Sequence, residues 1–327
     1  MNKHVVLYKK LSAPLMERLQ AVADVTLIED PKSADGRARL RDALPRADGL
    51  LGASLKLDGQ LLALAPRLKV VSSVSVGVDN YDIDALTQRG VLLTNTPDVL
   101  TETTADTGFA LIMATARRVV ELASMVRDGQ WTQNIGPAHF GTDVHGKTLG
   151  IIGMGRIGEA LAQRGHFGFG MPVLYHSHSR KPAVEARFGA QYRSLEALLR
   201  EADFVCLTLP LTAETEGLIG AEQFAQMRPE TIFINIARGK VVDEQALIGA
   251  LRKGQIRAAG LDVFEHEPVA EDSPLLGFDN VVATPHMGSA THETREAMAR
   301  CAVENMISAL TGERPKDLVN KDAWKYA

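Results

Sequence analysis

The sequence predicts an α/β protein built from two parallel sheets, and three observations lead to this prediction. The chain has 327 residues, which is enough for about two domains. Short apolar runs alternate with helical segments along most of its length, as expected for parallel sheets covered by helices. The alternation stops once, at Thr96-Pro97 and the long alanine- and leucine-rich segment that follows, and then resumes. The break therefore separates two α/β series.

The first series precedes the break. Apolar runs predict strands at residues 5–8, 25–28, 49–52, 68–72 and 91–94. Helical spacing of apolar residues predicts helices at 13–23, 37–43, 61–64 and 83–89. Strands separated by helices of this length imply a parallel sheet with helices on both faces.

The connecting segment is helical at first and then irregular. Helices are predicted at 99–117 and 119–127, and an irregular stretch follows at 129–146. A helix and loop in this position could be an arm that packs on another subunit or a cover over the sheet of the same chain, and the sequence leaves both open.

The second series begins at Lys147 and contains six predicted strands. They lie at 149–152, 173–175, 204–208, 232–235, 258–261 and 281–283. The helices between them are predicted at 157–164, 195–200, 221–226 and 244–251, and a last helix at 291–310 ends at Gly312. The tail, residues 313–327, has no predicted strand.

A glycine-rich turn follows the first strand of this series and opens a helix. In such a G-x-G-x-x-G turn the first glycine allows the tight turn, and the second lets the backbone approach a pyrophosphate. The third lets helix and strand pack closely, and the helix N-terminus offers free N–H groups. With six alternating strands, the turn predicts a dinucleotide-binding Rossmann domain. The cofactor-binding residues of the turn are Gly153, Gly155, Arg156, Ile157 and Gly158.

The end of the second strand of this series predicts which dinucleotide binds. An acidic residue there would accept hydrogen bonds from the ribose hydroxyls of NAD, but the chain has His176, followed by Ser177, Arg180 and Lys181. These side chains would hold a ribose 2′-phosphate without repulsion. We therefore expect NADP(H) to be preferred, while NAD(H) stays acceptable if the loop is simply solvated.

Composition excludes several other classes. A net charge of −4 argues against a nucleic-acid footprint, and no apolar run approaches the roughly 18 residues of a membrane span. The N-terminus has no signal-peptide pattern, so a cytoplasmic protein is expected. Cys206 and Cys301 lie far apart in apolar patterns and are expected to be reduced and buried. No metal site is expected.

Three polar residues follow strands of the second series, where α/β proteins bind ligands. They are Arg238, Glu267 and His286. Singly, each has an ordinary structural interpretation: a surface charge, a loop cap and a core histidine.

Four motifs taken together point to a family. They are Gly153 to Gly158, Asn235-Ile236-Ala237-Arg238-Gly239, the stretch from Gly260 to Pro268, and Thr284-Pro285-His286-Met287-Gly288. In order and spacing they resemble the motifs of D-isomer-specific 2-hydroxyacid dehydrogenases over nearly the whole chain. Within that family the sequence is similar to the bacterial glyoxylate/hydroxypyruvate reductases, which also reduce 2-ketogluconate.

The resemblance implies a fold and an activity. It implies two Rossmann-like or flavodoxin-like domains with an active-site cleft between them, in a homodimer. Residues 1–98 with 288–327 would form the substrate domain, and residues 99–287 the dinucleotide-binding domain. The reaction would reduce glyoxylate and hydroxypyruvate, with 2-ketogluconate as a further substrate, to D-2-hydroxy acids.

The resemblance also assigns the three catalytic residues. Arg238 would hold the substrate carboxylate and polarise the carbonyl, because a guanidinium stays charged and matches oxygen pairs. His286 would donate the proton, since the usual pKa of histidine is about 6.5. Glu267 would favour the imidazolium form of His286.

Further binding residues are implied by the same match. Val76 and Gly77 would offer backbone N–H groups to the substrate carboxylate, Ser54 would flank the rest of the substrate, and Arg238 and His286 would also contact it. At the tip of the arm, where some relatives carry tryptophan, this chain has His139, whose role stays open. The other implied cofactor contacts are Thr104, Leu209, Pro210, Thr215, Ile236, Ala237, Asp262 and Gly288.

Two other functions remain as alternatives. The same fold occurs in transcriptional corepressors, so a dinucleotide-sensing interaction protein is one, although the chain shows no obvious disordered recruitment tail. A short-form 3-phosphoglycerate dehydrogenase is the other. It would need basic groups in the first domain, where Lys56 is the one candidate and could equally be a solvated charge.

Overall fold

The computed structural model describes residues 2–326, and the chain divides into two compact units. The first comprises the residues up to Leu100 together with those from Ala290 onward. The second comprises Thr101–Ser289. Each unit has its own parallel sheet.

The first unit is built on a five-stranded sheet with the order β2-β1-β3-β4-β5. All its strand pairs are parallel, and this order is the flavodoxin-like one. The strands are β1 (Lys3–Leu7), β2 (Ala23–Leu27), β3 (Gly49–Gly52), β4 (Val70–Ser73) and β5 (Leu92–Thr94). The helices are α1 (Ala13–Gln20), α2 (Ala34–Ala43), α3 (Gly59–Ala63), α4 (Ile83–Gln88) and, from the C-terminal segment, α12 (His292–Thr311).

The second unit is built on a seven-stranded parallel sheet with the order β12-β11-β10-β9-β6-β7-β8. The order reverses between β6 and β9, as in a Rossmann fold, where ligands bind beyond the strand ends at this point. Its strands are β6 (Leu149–Ile152), β7 (Val173–His176), β8 (Gln191–Tyr192), β9 (Phe204–Leu207), β10 (Ile232–Asn235), β11 (Ala258–Leu261) and β12 (Val281–Ala283). Its helices are α5 (Thr101–Ala116), α6 (Val119–Arg127), α7 (Arg156–Gln163), α8 (Pro182–Phe188), α9 (Leu195–Glu201), α10 (Ala221–Gln226) and α11 (Glu244–Arg252).

The α/β class is confirmed, and sequence reasoning missed one part of the second sheet. The expected six strands are joined by a seventh, β8, and by the helix α8 before it. β8 is too short, at two residues, to show an alternating pattern. α8 starts with Pro182 in its first turn, a position that proline favours.

The connecting segment leaves an apolar surface exposed. No residue of α6 is buried, although its sequence is Val-Val-Glu-Leu-Ala-Ser-Met-Val-Arg. Trp131 and Phe140 of the following stretch are also more than half exposed. The expected irregular stretch contains one short 3₁₀ helix, Pro137–His139.

The two cysteines are free thiols, and one differs from expectation. Cys206 is fully buried in β9, as expected. Cys301 is only half-buried and donates a hydrogen bond to Asp317 at 3.2 Å. Partial burial, with Asp317 beside the thiol, raises the pKa of Cys301 to about 12. Among residues 2–326, no helix combines the length and the apolarity that a membrane crossing requires.

Candidate active site

The glycine turn after β6 has a different structural requirement at each glycine. Gly153 has φ +101°, and a Cβ there would lie 2.7 Å from the backbone N of Leu209. A Cβ at Gly158 would lie 2.6 Å from the carbonyl oxygen of Gly153. A Cβ at Gly155 would meet no atom within 4 Å, so this side of the turn is open for a ligand to approach. Arg156 and Ile157 form the first turn of α7, whose N-terminus carries the positive end of the helix dipole. The chain atoms therefore fit a bound pyrophosphate.

The end of β7 carries the residues expected to select the dinucleotide. His176 is the last residue of β7. Its Nδ1, and not its Nε2, donates to the Arg193 carbonyl at 3.0 Å. Ser177 donates to the carbonyl of Ser179 at 2.7 Å. Lys181 Nζ lies 3.4 Å from Ser179 Oγ, so serine and lysine side chains share one loop.

Arg180 has a partner that the sequence did not reveal. Its guanidinium binds both carboxylate oxygens of Glu185, with Nε at 3.0 Å and Nη2 at 2.6 Å. Tyr175 also donates to Glu185, at 2.6 Å, and accepts from the Lys181 N–H at 2.7 Å. The hydrogen bond from Arg180, then that from Tyr175, lowers the pKa of Glu185 below its usual value. The stretch 175–181 contains no carboxylate, but the following helix brings one to it.

The loop after β9 contributes the next cofactor candidates. Leu209 lies against the glycine turn, since a Cβ on Gly153 would contact its backbone and side chain. Thr215 Oγ1 donates to the Pro210 carbonyl at 2.7 Å and accepts from the Thr212 N–H at 2.8 Å. The Thr215 hydroxyl therefore closes this loop on itself.

His286 and Glu267 form a hydrogen-bonded pair. Nδ1 of His286 lies 2.7 Å from Oε2 of Glu267, and the Phe264 N–H donates to Oε1 at 3.1 Å. Burial acts to raise the pKa of Glu267. The hydrogen bond and charge of His286, the Phe264 N–H and the charge of Arg238 together outweigh burial, and the pKa lies below its usual value. Glu267 is thus ionised at neutral pH and faces an imidazole.

A buried carboxylate holds the turn that carries His286. Asp262 is 2% exposed and accepts from Thr284 Oγ1 at 2.7 Å and from the N–H groups of Met287 and Gly288 at 2.8 Å each. His286 itself has φ +52°, a left-handed conformation that is uncommon for a residue other than glycine. Asp262, expected from the resemblance to contact the cofactor, therefore also fixes this strained turn.

Arg238 is positioned by the residues around it. Asn235, at the end of β10, accepts from the Ala237 N–H at 3.0 Å and donates to the Arg238 carbonyl at 3.1 Å. A Cβ at Gly239 would lie 1.9 Å from the carbonyl carbon and oxygen of Phe264. Gly239 therefore lets the loop of Arg238 contact the loop that leads to Glu267, a contact that no pattern in the sequence predicts.

The candidates for the nicotinamide side lie near the same turn. Ile236 and Ala237 are buried, and a Cβ at Gly108 of α5 would lie 2.7 Å from Ile236 Cδ1. A Cβ at Gly288 would lie 3.3 Å from Thr104 Cγ2, so α5 and the His286 turn are close neighbours.

The substrate candidates Ser54, Val76 and Gly77 belong to the first unit. Ser54 is exposed after β3 and has φ +59°. Val76 and Gly77 follow β4 in a half-buried turn, in which Asn95 Nδ2 donates to the Val76 carbonyl at 2.9 Å. In both units, the candidates thus lie beyond the carboxyl ends of parallel strands.

Comparison with known proteins identifies the family. The NAD-binding domain of D-isomer specific 2-hydroxyacid dehydrogenases matches residues 109–288. Glyoxylate/hydroxypyruvate reductase B of Klebsiella pneumoniae is 58% identical over 98% of this chain and 99% of its own length. The crystal structure of the TT0316 protein of Thermus thermophilus superposes with a TM-score of 0.89, at 42% identity over 97% of this chain and 99% of that one.

A further structure is that of an NADPH-dependent glyoxylate/hydroxypyruvate reductase from Sinorhizobium meliloti, in complex with NADP and malonate. Its TM-score is 0.86, at 31% identity over 99% of this chain and 98% of that one. The resemblance seen in the motifs is confirmed over the whole chain. The protein belongs to the D-isomer specific 2-hydroxyacid dehydrogenase family.

Proposed function

We propose that this protein reduces small 2-oxo acids, above all glyoxylate and hydroxypyruvate, to D-2-hydroxy acids with NADPH. The observation that carries the proposal is the pair of His286 and Glu267, 2.7 Å apart, in the unit that also contains the glycine turn. The names of two relatives that are 58% identical to this chain support the two substrates. We extend the proposal to 2-ketogluconate as a further substrate.

His286 is the proposed proton donor. Its Nδ1 is engaged by the Glu267 carboxylate, so Nε2 is the nitrogen left to face the substrate oxygen. The anionic Glu267 stabilises the imidazolium that donates the proton. Reduced nicotinamide, when bound, supplies the hydride. Proton donation to the carbonyl oxygen completes the hydroxyl group.

Arg238 is the proposed substrate clamp. Asn235 and Gly239 fix the backbone on either side of it, so the guanidinium starts from an ordered position. The positive charge would bind the carboxylate and polarise the carbonyl. We assign the N–H groups of Val76 and Gly77 to the same carboxylate, and Ser54 to the rest of the substrate.

The proposed cofactor contacts begin beyond the ends of β6 and β9, the two strands between which the strand order reverses. The glycine turn would hold the pyrophosphate, with Leu209, Pro210 and Thr215 on the adenosine side. Thr104, Ile236, Ala237, Asp262 and Gly288 would line the nicotinamide side. In these roles Thr101–Ser289 is the dinucleotide-binding unit and the other unit binds substrate.

NADPH preference is proposed for the loop after β7. His176, Ser177, Arg180 and Lys181 belong to this loop, in which Arg180 and Lys181 offer two cations to a 2′-phosphate, although Glu185 already pairs with Arg180. The Sinorhizobium relative, described as NADPH-dependent and solved with NADP, supports this choice. NADH is expected to serve as a weaker cofactor.

We also propose a homodimer that acts in the cytoplasm. The unburied valines of α6 and the exposed Trp131 and Phe140 form an apolar surface of the kind that marks an interface. Free cysteines fit a reducing compartment. Light scattering on the purified protein should give the mass of two chains. A mass of one chain would contradict the dimer.

The activity is tested by following NADPH oxidation at about 340 nm with a panel of 2-oxo acids. Turnover of glyoxylate and hydroxypyruvate is expected, together with D configuration of the product of hydroxypyruvate. Binding of NADPH without turnover of any 2-oxo acid would contradict the proposal.

A further inference from the structure

A chain of four hydroxyl groups runs through the first unit to the turn at Val76 and Gly77. Tyr8 Oη lies 3.4 Å from Tyr81 Oη, and Tyr81 Oη donates to Ser73 Oγ at 3.1 Å. Ser73 Oγ lies 2.9 Å from Ser75 Oγ, which donates to the Gly77 carbonyl at 2.7 Å. The chain thus links the ends of β1 and β4.

The direction of every bond in this chain is fixed. Each hydroxyl has a single hydrogen to donate. Ser75 gives its hydrogen to Gly77, so Ser73 must donate to Ser75. Tyr81 gives its hydrogen to Ser73, so Tyr8 must donate to Tyr81. All four hydrogens therefore point toward the Gly77 carbonyl, an arrangement in which each bond strengthens the next.

The chain is shielded from water and built into the sheet. Tyr8, Tyr81 and Ser73 are buried, and burial raises the pKa of Tyr8 well above its usual value. A Cβ at Gly52, the last residue of β3, would lie 2.2 Å from the Tyr8 ring. Gly52 thus leaves room for the ring where the strand order of this sheet reverses.

Three successive carbonyl groups of the turn have fixed partners. The Ser75 carbonyl accepts from the Thr96 N–H at 2.9 Å, and the Val76 carbonyl accepts from Asn95 Nδ2 at 2.9 Å. Ser75 Oγ holds the third, that of Gly77. In a trans peptide the N–H points away from the carbonyl of the same plane. The N–H groups of Val76 and Gly77 are therefore aimed to the opposite side.

Gly77 needs this restraint more than another residue would. Glycine has the widest choice of backbone conformations, so the N–H group of an unrestrained Gly77 would adopt several orientations. Asn95 fixes the peptide plane before Gly77, and Ser75 fixes the plane after it. Across residues 2–326 we find no protein acceptor for the N–H of Val76 or of Gly77, so both donors remain for a ligand.

We propose that Asn95 and Ser75, with the hydroxyls of Ser73, Tyr81 and Tyr8 behind Ser75, are positioning residues for the substrate carboxylate. Asn95 holds the peptide plane that carries the Gly77 N–H, Ser75 holds the plane on the other side of Gly77, and none of these side chains touches a reacting atom. The inference rests on the proposed function, in which Val76 and Gly77 bind that carboxylate.

The test measures carboxylate binding separately from catalysis. Oxalate, a carboxylate that cannot accept hydride as a 2-oxo acid does, is titrated calorimetrically into the enzyme saturated with NADP⁺, and glyoxylate kinetics are measured in parallel. Asn95→Ala and Ser75→Ala should each raise the oxalate Kd and the glyoxylate KM about fivefold, the usual effect of one lost hydrogen bond. The value of kcat and the KM for NADPH should stay within about twofold.

Two further variants separate positioning from a general loss of stability. Ser75→Thr keeps the hydroxyl and should restore the oxalate Kd to about the wild-type value. Ser72→Ala removes a neighbouring buried hydroxyl of β4. This hydroxyl donates to the Ala302 carbonyl at 2.7 Å and does not belong to the series of four hydrogen-bonded hydroxyls. It should lower the Tm without changing the oxalate Kd.

The outcomes distinguish the inference from the proposed function. Folded Asn95→Ala and Ser75→Ala enzymes that bind oxalate as tightly as the wild type would overturn the inference alone. An equal rise in the oxalate Kd of Ser72→Ala would also overturn the inference. A wild-type enzyme that binds oxalate but reduces no 2-oxo acid would overturn the proposed function, and the oxalate Kd values would still decide the inference.

Discussion

His286 Nδ1 lies 2.7 Å from Glu267 Oε2 while the backbone of His286 is in the left-handed region, at φ +52°. The two facts belong together, because the turn that imposes this conformation is held by three hydrogen bonds to the buried Asp262. Strain of this kind persists only where surrounding bonds impose it, and it is frequent at functional sites. The turn therefore orders the imidazole against its carboxylate before substrate binds.

Replacing either partner of this pair should lower turnover. His286→Ala removes the proton donor and should reduce kcat about 10²–10⁴-fold, the usual range for general acid–base catalysis. Glu267→Gln keeps the shape but removes the anion that binds His286 Nδ1, so we expect a smaller loss, about tenfold. Steady-state rates with glyoxylate and NADPH measure both. Near-normal kcat in His286→Ala would remove histidine from the mechanism.

The lowered pKa of Glu267 makes a pH-dependent contribution to stability. A carboxyl group whose pKa is lower in the folded state stabilises that state above its unfolded pKa, about 4.3 for glutamate. The contribution disappears as the pH falls through the folded pKa. The free energy of unfolding in urea should therefore be higher for the wild type than for Glu267→Gln at about pH 5, above the unfolded pKa of the carboxyl group.

Below about pH 4.3 the same difference should shrink. The exposed Glu222 of α10 provides the control, because its side chain makes no hydrogen bond within residues 2–326. A difference between the wild type and Glu267→Gln that stays unchanged down to pH 3 would contradict this account.

Much of the fold was predictable because it depends on local patterns. The bounds of β3, β6, β10, β11 and β12 match the apolar runs, and a Cβ would clash at the first and third glycines of the turn but not at the second. Two-residue β8 has no such pattern. The hydrogen-bond partners of side chains could not be predicted from the sequence either. Glu185, for example, lies close to Arg180 only because the first turn of α8 folds toward it. The three donors to Asp262 come from residues 22 to 26 positions away.

Gly239→Ala should disrupt the active site without removing a functional group. The added Cβ would lie 1.9 Å from backbone atoms of Phe264, which cannot move aside as a side chain can. The loops of Arg238 and Glu267 must then separate, and overpacking of this kind costs about 1–3 kcal/mol. We expect kcat/KM for glyoxylate to fall by about a hundredfold, as misplacement of catalytic groups by about 1 Å does.

Gly249→Ala is the matched control for that substitution. Gly249 lies within α11, and a Cβ there would meet no atom within 4 Å. Alanine is the better helix former by about 1 kcal/mol, so Tm should rise and kcat/KM should not change. Normal kinetics in Gly239→Ala would show that contact between the two loops is dispensable.

Arg180→Ala should change cofactor choice more than catalysis. Because the guanidinium makes a charge-assisted hydrogen bond to the 2′-phosphate in this proposal, its loss should lower kcat/KM for NADPH about tenfold or more. The value for NADH should change by less than about twofold, because NADH has no 2′-phosphate. Arg187→Ala, which removes an arginine of α8 paired with Glu159 at 3.1 Å, should leave both values as they are. Equal losses for NADPH and NADH in Arg180→Ala would contradict phosphate recognition by this side chain.

The central claim is that this member of the family uses NADPH to reduce small 2-oxo acids. Initial rates with glyoxylate and hydroxypyruvate, each measured with NADPH and with NADH on the wild-type enzyme, test it most directly. We predict turnover of both acids and a kcat/KM at least about tenfold higher with NADPH, the effect of one charge-assisted contact to the 2′-phosphate. Absence of turnover with both acids, or a preference for NADH, would contradict the claim.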